Sequence, residues 1–121
     1  MELKEYQERA MTTCMASSNN FSYMFLNLVG EVGEFASKVA KFIRKDKAVI
    51  DNDILMMCGC HTNDVEELKK EAGDILWQLS GLCTVMGWSL EDVAQQNLDK
   101  LAARKAVGTI DGNGDGIIRD K

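Results

Sequence analysis

An all-α bundle of four to five helices is the fold class that the sequence predicts, and three observations carry it. The 121 residues contain no proline, so nothing in the chain forbids long helices. Apolar residues recur three and four apart over long stretches, the period of a helix face rather than the alternation of a strand. Helix-start and helix-stop signatures punctuate those stretches, with no strand pattern of any length and no internal repeat between them.

The first helix is expected from residue 2 to about 18, with Leu3, Tyr6, Ala10, Met11 and Cys14 toward one side. Ser17-Ser18-Asn19-Asn20 interrupts it and offers N-caps for the next. A long helix then spans about 21 to 45. Its apolar stripe is Phe25, Val29, Val32, Ala36, Val39 and Ile43, and beside it runs Asn27, Glu31, Glu34, Lys38 and Lys41. The first stripe is expected to pack; the second meets water or does chemistry. In 46–62, Asp51-Asn52-Asp53 is expected to cap a short helix through Ile54, Leu55, Met56 and Met57. Asn63 with Glu66, or Asp64 with Glu67, forms a capping box for a third helix running to about Met86, where Gly87 suits the position just past the end. Its stripe is Leu68, Ala72, Ile75, Leu79, Leu82 and Met86, with Glu67, Glu71, Asp74 and Gln78 alongside. Ser89 caps a fourth helix, with Asp92 reciprocating and Trp88 stapling onto Val93. That helix ends near Lys105, and 106–121 is a Gly- and Asp-rich loop closing a single domain, 1–121.

Composition narrows the function classes. Hydrophobic residues make up 45% and charged ones 27%, the profile of a folded chain. The net charge is −5 with basic residues dispersed, which argues against a nucleic-acid groove. An anionic substrate is then received through metal ions or a local basic cluster. No apolar run approaches the roughly 18 residues that span a bilayer. Met1-Glu2-Leu3-Lys4-Glu5 lacks the apolar core of a signal peptide, so a cytoplasmic location is expected. Cys14 and Cys83 read as small core residues. Cys58-Gly59-Cys60-His61 lacks zinc spacing and a second ligand pair, so reduced thiols are the expectation.

Chemistry concentrates in Glu31-Val32-Gly33-Glu34 and Glu71-Ala72-Gly73-Asp74. Residues three apart share a helix face, so each signature offers two carboxylates, and both lie in apolar surroundings where an uncompensated charge is costly. Carboxylates about 4 Å apart repel by about 4 kcal/mol at an effective dielectric near 20, which a divalent cation relieves. Gly30, Gly33 and Gly73 each cost a helix about 1 kcal/mol relative to alanine. Close helix approach, or room for a metal and its waters, explains that cost. Four acids thus point to a hard divalent metal and phosphate chemistry.

Glu31-x-x-Glu34 followed by Glu71-x-x-Asp74 resembles the E-x-x-E…E-x-x-D signature of the MazG-like all-α nucleoside triphosphate pyrophosphohydrolases. Leu28-Val29-Gly30-Glu31-Val32-Gly33-Glu34 is similar to that family's first motif almost letter for letter. Asn97-Leu98-Asp99-Lys100-Leu101-Ala102-Ala103-Arg104, with Gly108, Gly112, Gly114 and Asp115, resembles the ending of its short single-domain members, such as those carried on integron gene cassettes. The resemblance covers 20–45 and 63–116; the span between Glu34 and Glu71 is longer than usual. It implies Mg²⁺-dependent cleavage of nucleoside triphosphates to monophosphate and pyrophosphate, with deoxynucleotides as substrates and a house-cleaning role. Glu31, Glu34, Glu71 and Asp74 would hold Mg²⁺ (Mn²⁺ in its place), and Glu34 or Glu31 would orient or deprotonate the attacking water. Asn97, Lys100 and Arg104 would help bind phosphates, in some members across a subunit boundary, and the assembly would be a homodimer or a dimer of dimers.

Alternatives stand beside several of these. Lys38 and Lys41 either meet the distal phosphates or pair acids on the helix surface. Asn27 and Gln78 are polar contacts for sugar or base. Phe21, Phe25, Trp77 and Trp88 either stack on a base or pack in the core. Asp111-Gly112-Asn113-Gly114-Asp115-Gly116-Ile117 fits the start of an EF-hand loop, making a calcium-binding module the second function class; an inactive helical scaffold is the third.

Overall fold

The computed structural model describes residues 1–58 and 62–108. Among them are four α-helices, α1 (Leu3–Met11), α2 (Phe21–Arg44), α3 (Thr62–Val85) and α4 (Leu90–Ala106), a 3₁₀ turn at Ala16–Ser18, and a two-stranded hairpin, β1 (Ala48–Asp51) with β2 (Ile54–Met57). The all-α bundle class holds, with the hairpin inserted between α2 and α3.

Local chemistry sets the boundaries. The first helix is shorter than expected: Thr12 and Thr13 donate their hydroxyls to the carbonyls of Arg9 and Ala10 at 2.6 Å, closing the helix there. Asn20 caps α2, its Oδ1 accepting from the Tyr23 amide at 2.8 Å. Ser89 caps α4 by accepting from the Asp92 amide at 3.2 Å. α3 ends as expected at Gly87, φ +76°, with the Trp88 amide bonded to Cys83 O and the Gly87 amide to Thr84 O, the paired bonds of a Schellman motif. α2 ends in the same motif, Lys47 to Phe42 O and Asp46 to Ile43 O, but with Asp46 rather than glycine at φ 59°. The third helix starts at Thr62, so neither expected capping box sits at the helix start.

The expected short helix at Ile54–Met57 is corrected to a strand. Ala48 pairs with Met57 and Asp51 with Ile54 in an antiparallel register. Asn52 and Asp53 both adopt left-handed backbone, φ 52° and 62°, the two central positions of a type I′ turn. Asn and Asp tolerate that conformation better than other side chains. The flanking apolar runs lack alternation, and such runs do not distinguish helix from strand by period.

α3 is the hub, packing on α2, α1 and α4. Trp77 Nε1 donates to Ala10 O and Thr13 Oγ1 at 3.2 and 3.0 Å, tying α3 to α1. Gln7 donates to Thr84 Oγ1 and Trp88 O and accepts from the Leu90 amide, so one side chain clasps α1, the end of α3 and the start of α4. Phe42, Ala48 and Leu68 form a buried cluster with Phe35, Val39, Leu55 and Met57. At the other end Met24 is fully buried against α3, where a Cβ on Gly81 would collide with its thioether.

The expected packing stripe of α2 is corrected, and so is close helix approach, one of the two reasons offered for Gly30, Gly33 and Gly73. Phe25, Val29, Val32 and Ile43 are exposed; Met24, Phe35 and Phe42 are buried or half-buried in their place, on the face that also carries Glu31 and Lys38. The close-approach glycine is Gly81, whereas a Cβ on Gly30, Gly33 or Gly73 would meet nothing within 4 Å.

Candidate functional site

The inward face of α2 brings Glu31 against α3, which presents Glu71 and Asp74 one turn apart. Carboxylate oxygens of Glu31, Glu71 and Asp74 all lie within 4.8 Å of one another. Glu31 and Glu71 are half-buried and Asp74 is exposed. Burial, then the charges of Asp74, Glu71 and Glu34, raises the Glu31 carboxyl above its ordinary value. Glu34 is exposed one turn on; it stands outside the three-carboxylate group, near enough to contribute to that repulsion.

Lys38 extends from the same face of α2 and bridges two acids of α3, 3.2 Å from Glu67 Oε1 and 3.4 Å from Glu71 Oε2. The Lys38 hydrogen bond, with the charge of Lys70, lowers the Glu67 carboxyl. Of the two readings of Lys38, acid pairing is what this structure contains. Lys41 is exposed one turn further along.

Asn27, one turn before Glu31, is half-buried and donates Nδ2 to Tyr23 O at 3.0 Å. Gln78, one turn after Asp74, is only 5% exposed, and its Oε1 has no partner among the described residues. A buried amide oxygen without a donor costs about 1–3 kcal/mol, so Gln78 is poised to accept a hydrogen bond. Asn97 and Lys100 are exposed and Arg104 half-buried on α4, which packs on α1 and α3; no hydrogen bond or ion pair joins Asn97 or Lys100 to the acids among the described residues. Trp77 is committed to α1 by its indole bonds, while Trp88 and the parallel-stacked pair Phe21–Phe25, centroids 5.6 Å apart, are exposed. Cys60, His61 and the EF-hand-like stretch 111–117 lie outside the described residues.

Two residues at the site carry no motif. Tyr6 of α1 has its phenol raised first by burial and then by the charge of Asp74. Glu67 fixes Lys38. The helical spacing of Glu67 with Glu71 and Asp74 signals its place on that face, whereas Tyr6 reads only as part of the apolar side of its helix.

The donor set fits a hard divalent cation. All three groups are carboxylates, their mutual repulsion is already expressed in Glu31, and one is open to solvent for water ligands. Among the described residues, no helix is long and apolar enough to cross a membrane.

Comparison with known proteins identifies the family. Residues 19–108 match the MazG nucleotide pyrophosphohydrolase domain. The Gene 37 protein of Mycobacterium phage L5 is 36% identical over 99 residues, covering 82% of this chain and 78% of the phage protein. No solved structure matches. The chain belongs to the MazG nucleotide pyrophosphohydrolase family.

Proposed function

We propose that this member of the MazG family is a Mg²⁺-dependent hydrolase of nucleoside triphosphates, deoxynucleotides above all, that cleaves between the α- and β-phosphates and serves nucleotide-pool house-cleaning in the cytoplasm. The convergence of Glu31, Glu71 and Asp74 within 4.8 Å is the observation that carries the reading. When bound there, Mg²⁺ (or Mn²⁺) would polarise phosphate oxygens and acidify water.

The chain's own groups supply the rest. Glu31, Glu71 and Asp74 hold the cation, and Glu34, exposed beside them, completes the set and accepts the proton of the attacking water. Lys38, already drawn to Glu71, offsets negative charge where the phosphates arrive. Gln78 Oε1 accepts from sugar or base, and Asn27 on α2 makes a second polar contact to it. Asn97, Lys100 and Arg104 bind phosphates of a site completed by a neighbouring subunit.

That neighbour is a second copy. Phe25, Val29, Val32 and Ile43 form an exposed apolar face along α2, too continuous for a helix meant to face water. A homodimer, or a dimer of dimers, covers it.

The decisive assay is a nucleotide panel with Mg²⁺ that separates pyrophosphate from orthophosphate. Pyrophosphate and monophosphate in equal amounts, lost in EDTA and restored by Mg²⁺ or Mn²⁺, is the expected result. Orthophosphate as the product, or full turnover without metal, refutes the proposal.

A further inference from the structure

A second charged feature adjoins the acidic cluster. Where the last turns of α2 meet the hairpin and the first turn of α3, Lys38, Lys41, Lys45 and Lys47 rim a recess of about 200 Å³, with Phe42, Asp64 and Glu67. Four ammonium groups there face two carboxylates, in a chain whose net charge is −5. Lys47 lies 3.4 Å from Asp64, and Lys38 bridges Glu67 and Glu71. Lys41 and Lys45 have no ion-pair partner among the described residues.

Basic side chains near a helix C-terminus complement its dipole, but Arg44 does that equally and does not line the recess. The recess lysines follow Glu34 at positions 38, 41 and 45, a spacing that keeps them on one face. Like charges gathered on a face repel, and a multiply charged anion relieves that repulsion. The volume fixes its size. It falls below the roughly 300–1,000 Å³ of pockets that take whole small molecules, yet holds about seven waters at ~30 Å³ each. A fragment of a nucleotide fits. Lys38, which lines the recess, lies 3.4 Å from Glu71 Oε2, so one side chain is shared between the recess and the carboxylate cluster.

We propose that this recess receives the departing diphosphate and is a binding site for inorganic pyrophosphate, an inference that rests on the pyrophosphohydrolase reading above. In that hydrolysis the water oxygen bonds the α-phosphorus and the bond from that phosphorus to the bridging oxygen breaks. The bridging oxygen leaves within pyrophosphate, and the water's proton passes through a carboxylate to solvent. The substrate then lies with its phosphate tail toward the C-terminal end of α2 and its nucleoside toward Asn27 and Gln78. Lys45 and Lys47 become leaving-group residues that no acidic motif marks.

Calorimetric titration of the full chain with pyrophosphate in EDTA isolates the recess from the metal. Saturable binding is expected, weakened about tenfold (1.4 kcal/mol) by Lys45→Gln or Lys47→Gln, retained by Lys47→Arg and unchanged by Lys105→Gln on α4. In steady-state assays with Mg²⁺, the two glutamine variants should raise the inhibition constant of pyrophosphate and leave that of a nucleoside monophosphate unchanged. No binding in EDTA, equal loss in Lys105→Gln, or undiminished affinity in both glutamine variants overturns the inference. Absence of nucleotide turnover in the unmodified protein instead overturns the functional reading, whatever pyrophosphate does in the calorimeter.

Discussion

Glu31 is the residue on which the site's electrostatics turn. Its folded-state pKa is raised by burial and by three neighbouring carboxylates, so the folded protein holds that proton to higher pH than the unfolded chain does. The associated stability is present below the unfolded value and is lost as pH rises through the folded one. At neutral pH the ionised carboxylate therefore destabilises the metal-free fold. Glu31→Gln should raise the melting temperature in EDTA at about pH 7, with the gain disappearing as pH falls below about 4. The same change should remove most of the stabilisation by Mg²⁺, which for the unmodified protein reaches about 2.7 kcal/mol at a hundredfold excess over Kd. Catalysis should fall by about two orders of magnitude or more, the scale of a lost transition-state contact of about 3 kcal/mol. A metal-free melting temperature that drops at neutral pH would assign Glu31 to a structural ion pair instead.

At the scale of elements, glycine has opposite meanings at different positions of one helix pair. Gly81 lets α3 close on the fully buried Met24. Gly81→Ala forces the Met24 thioether to move within a fully buried site, so overpacking should cancel the helix-propensity gain of about 1 kcal/mol and leave the denaturation midpoint level or lower, with unchanged slope. Gly30 meets nothing within 4 Å, so Gly30→Ala should gain about 1 kcal/mol from helix propensity alone. If both changes destabilise equally, the α2–α3 approach is not centred on Gly81. The hairpin offers a parallel case. Asp53 sits at φ 62° in the second place of its two-residue turn, where glycine is unstrained. Asp53→Gly should stabilise by about 1 kcal/mol; a loss of stability in denaturant would mean that the aspartate side chain anchors the turn.

For the whole molecule, the distribution of apolar surface is the salient fact. Fully buried large side chains are few, whereas Phe21, Phe25, Leu26, Val29, Val32 and Ile43 on α2 alone are exposed. If a second copy covers that face, the melting temperature should rise with protein concentration. Val29→Glu combined with Val32→Glu should shift the sedimentation coefficient to that of the monomer. Both substitutions lie on exposed positions, so the isolated fold should survive. A monomeric unmodified protein at micromolar concentration would remove the case for a subunit-spanning site.

The sequence by itself determined the helical class, the Ser89 cap, the Gly87 stop, the run of N-cap candidates from which Asn20 caps α2, and the i, i+3 spacing of acids on two helices, because each depends on residues within a turn or two of one another. Only the tertiary structure decided which face of α2 turns inward. Helical period fixes which residues share a face, but Phe25-Val29-Val32 and Glu31-Lys38 are adjacent faces, and a burial argument assigns the apolar one to the core. The opposite happened because α3 presents Glu71, Asp74 and Glu67 to that side, and a carboxylate–lysine network forms only when both helices are in place. Glu34's position outside the close group, Tyr6's approach to Asp74, and the meeting of Lys47 with Lys38, Lys41 and Lys45 likewise depend on contacts between distant segments. The hairpin escaped notice for a local reason, since Asn52-Asp53 suits a left-handed turn and a helix cap alike, and pairing of its flanking runs settles which one forms.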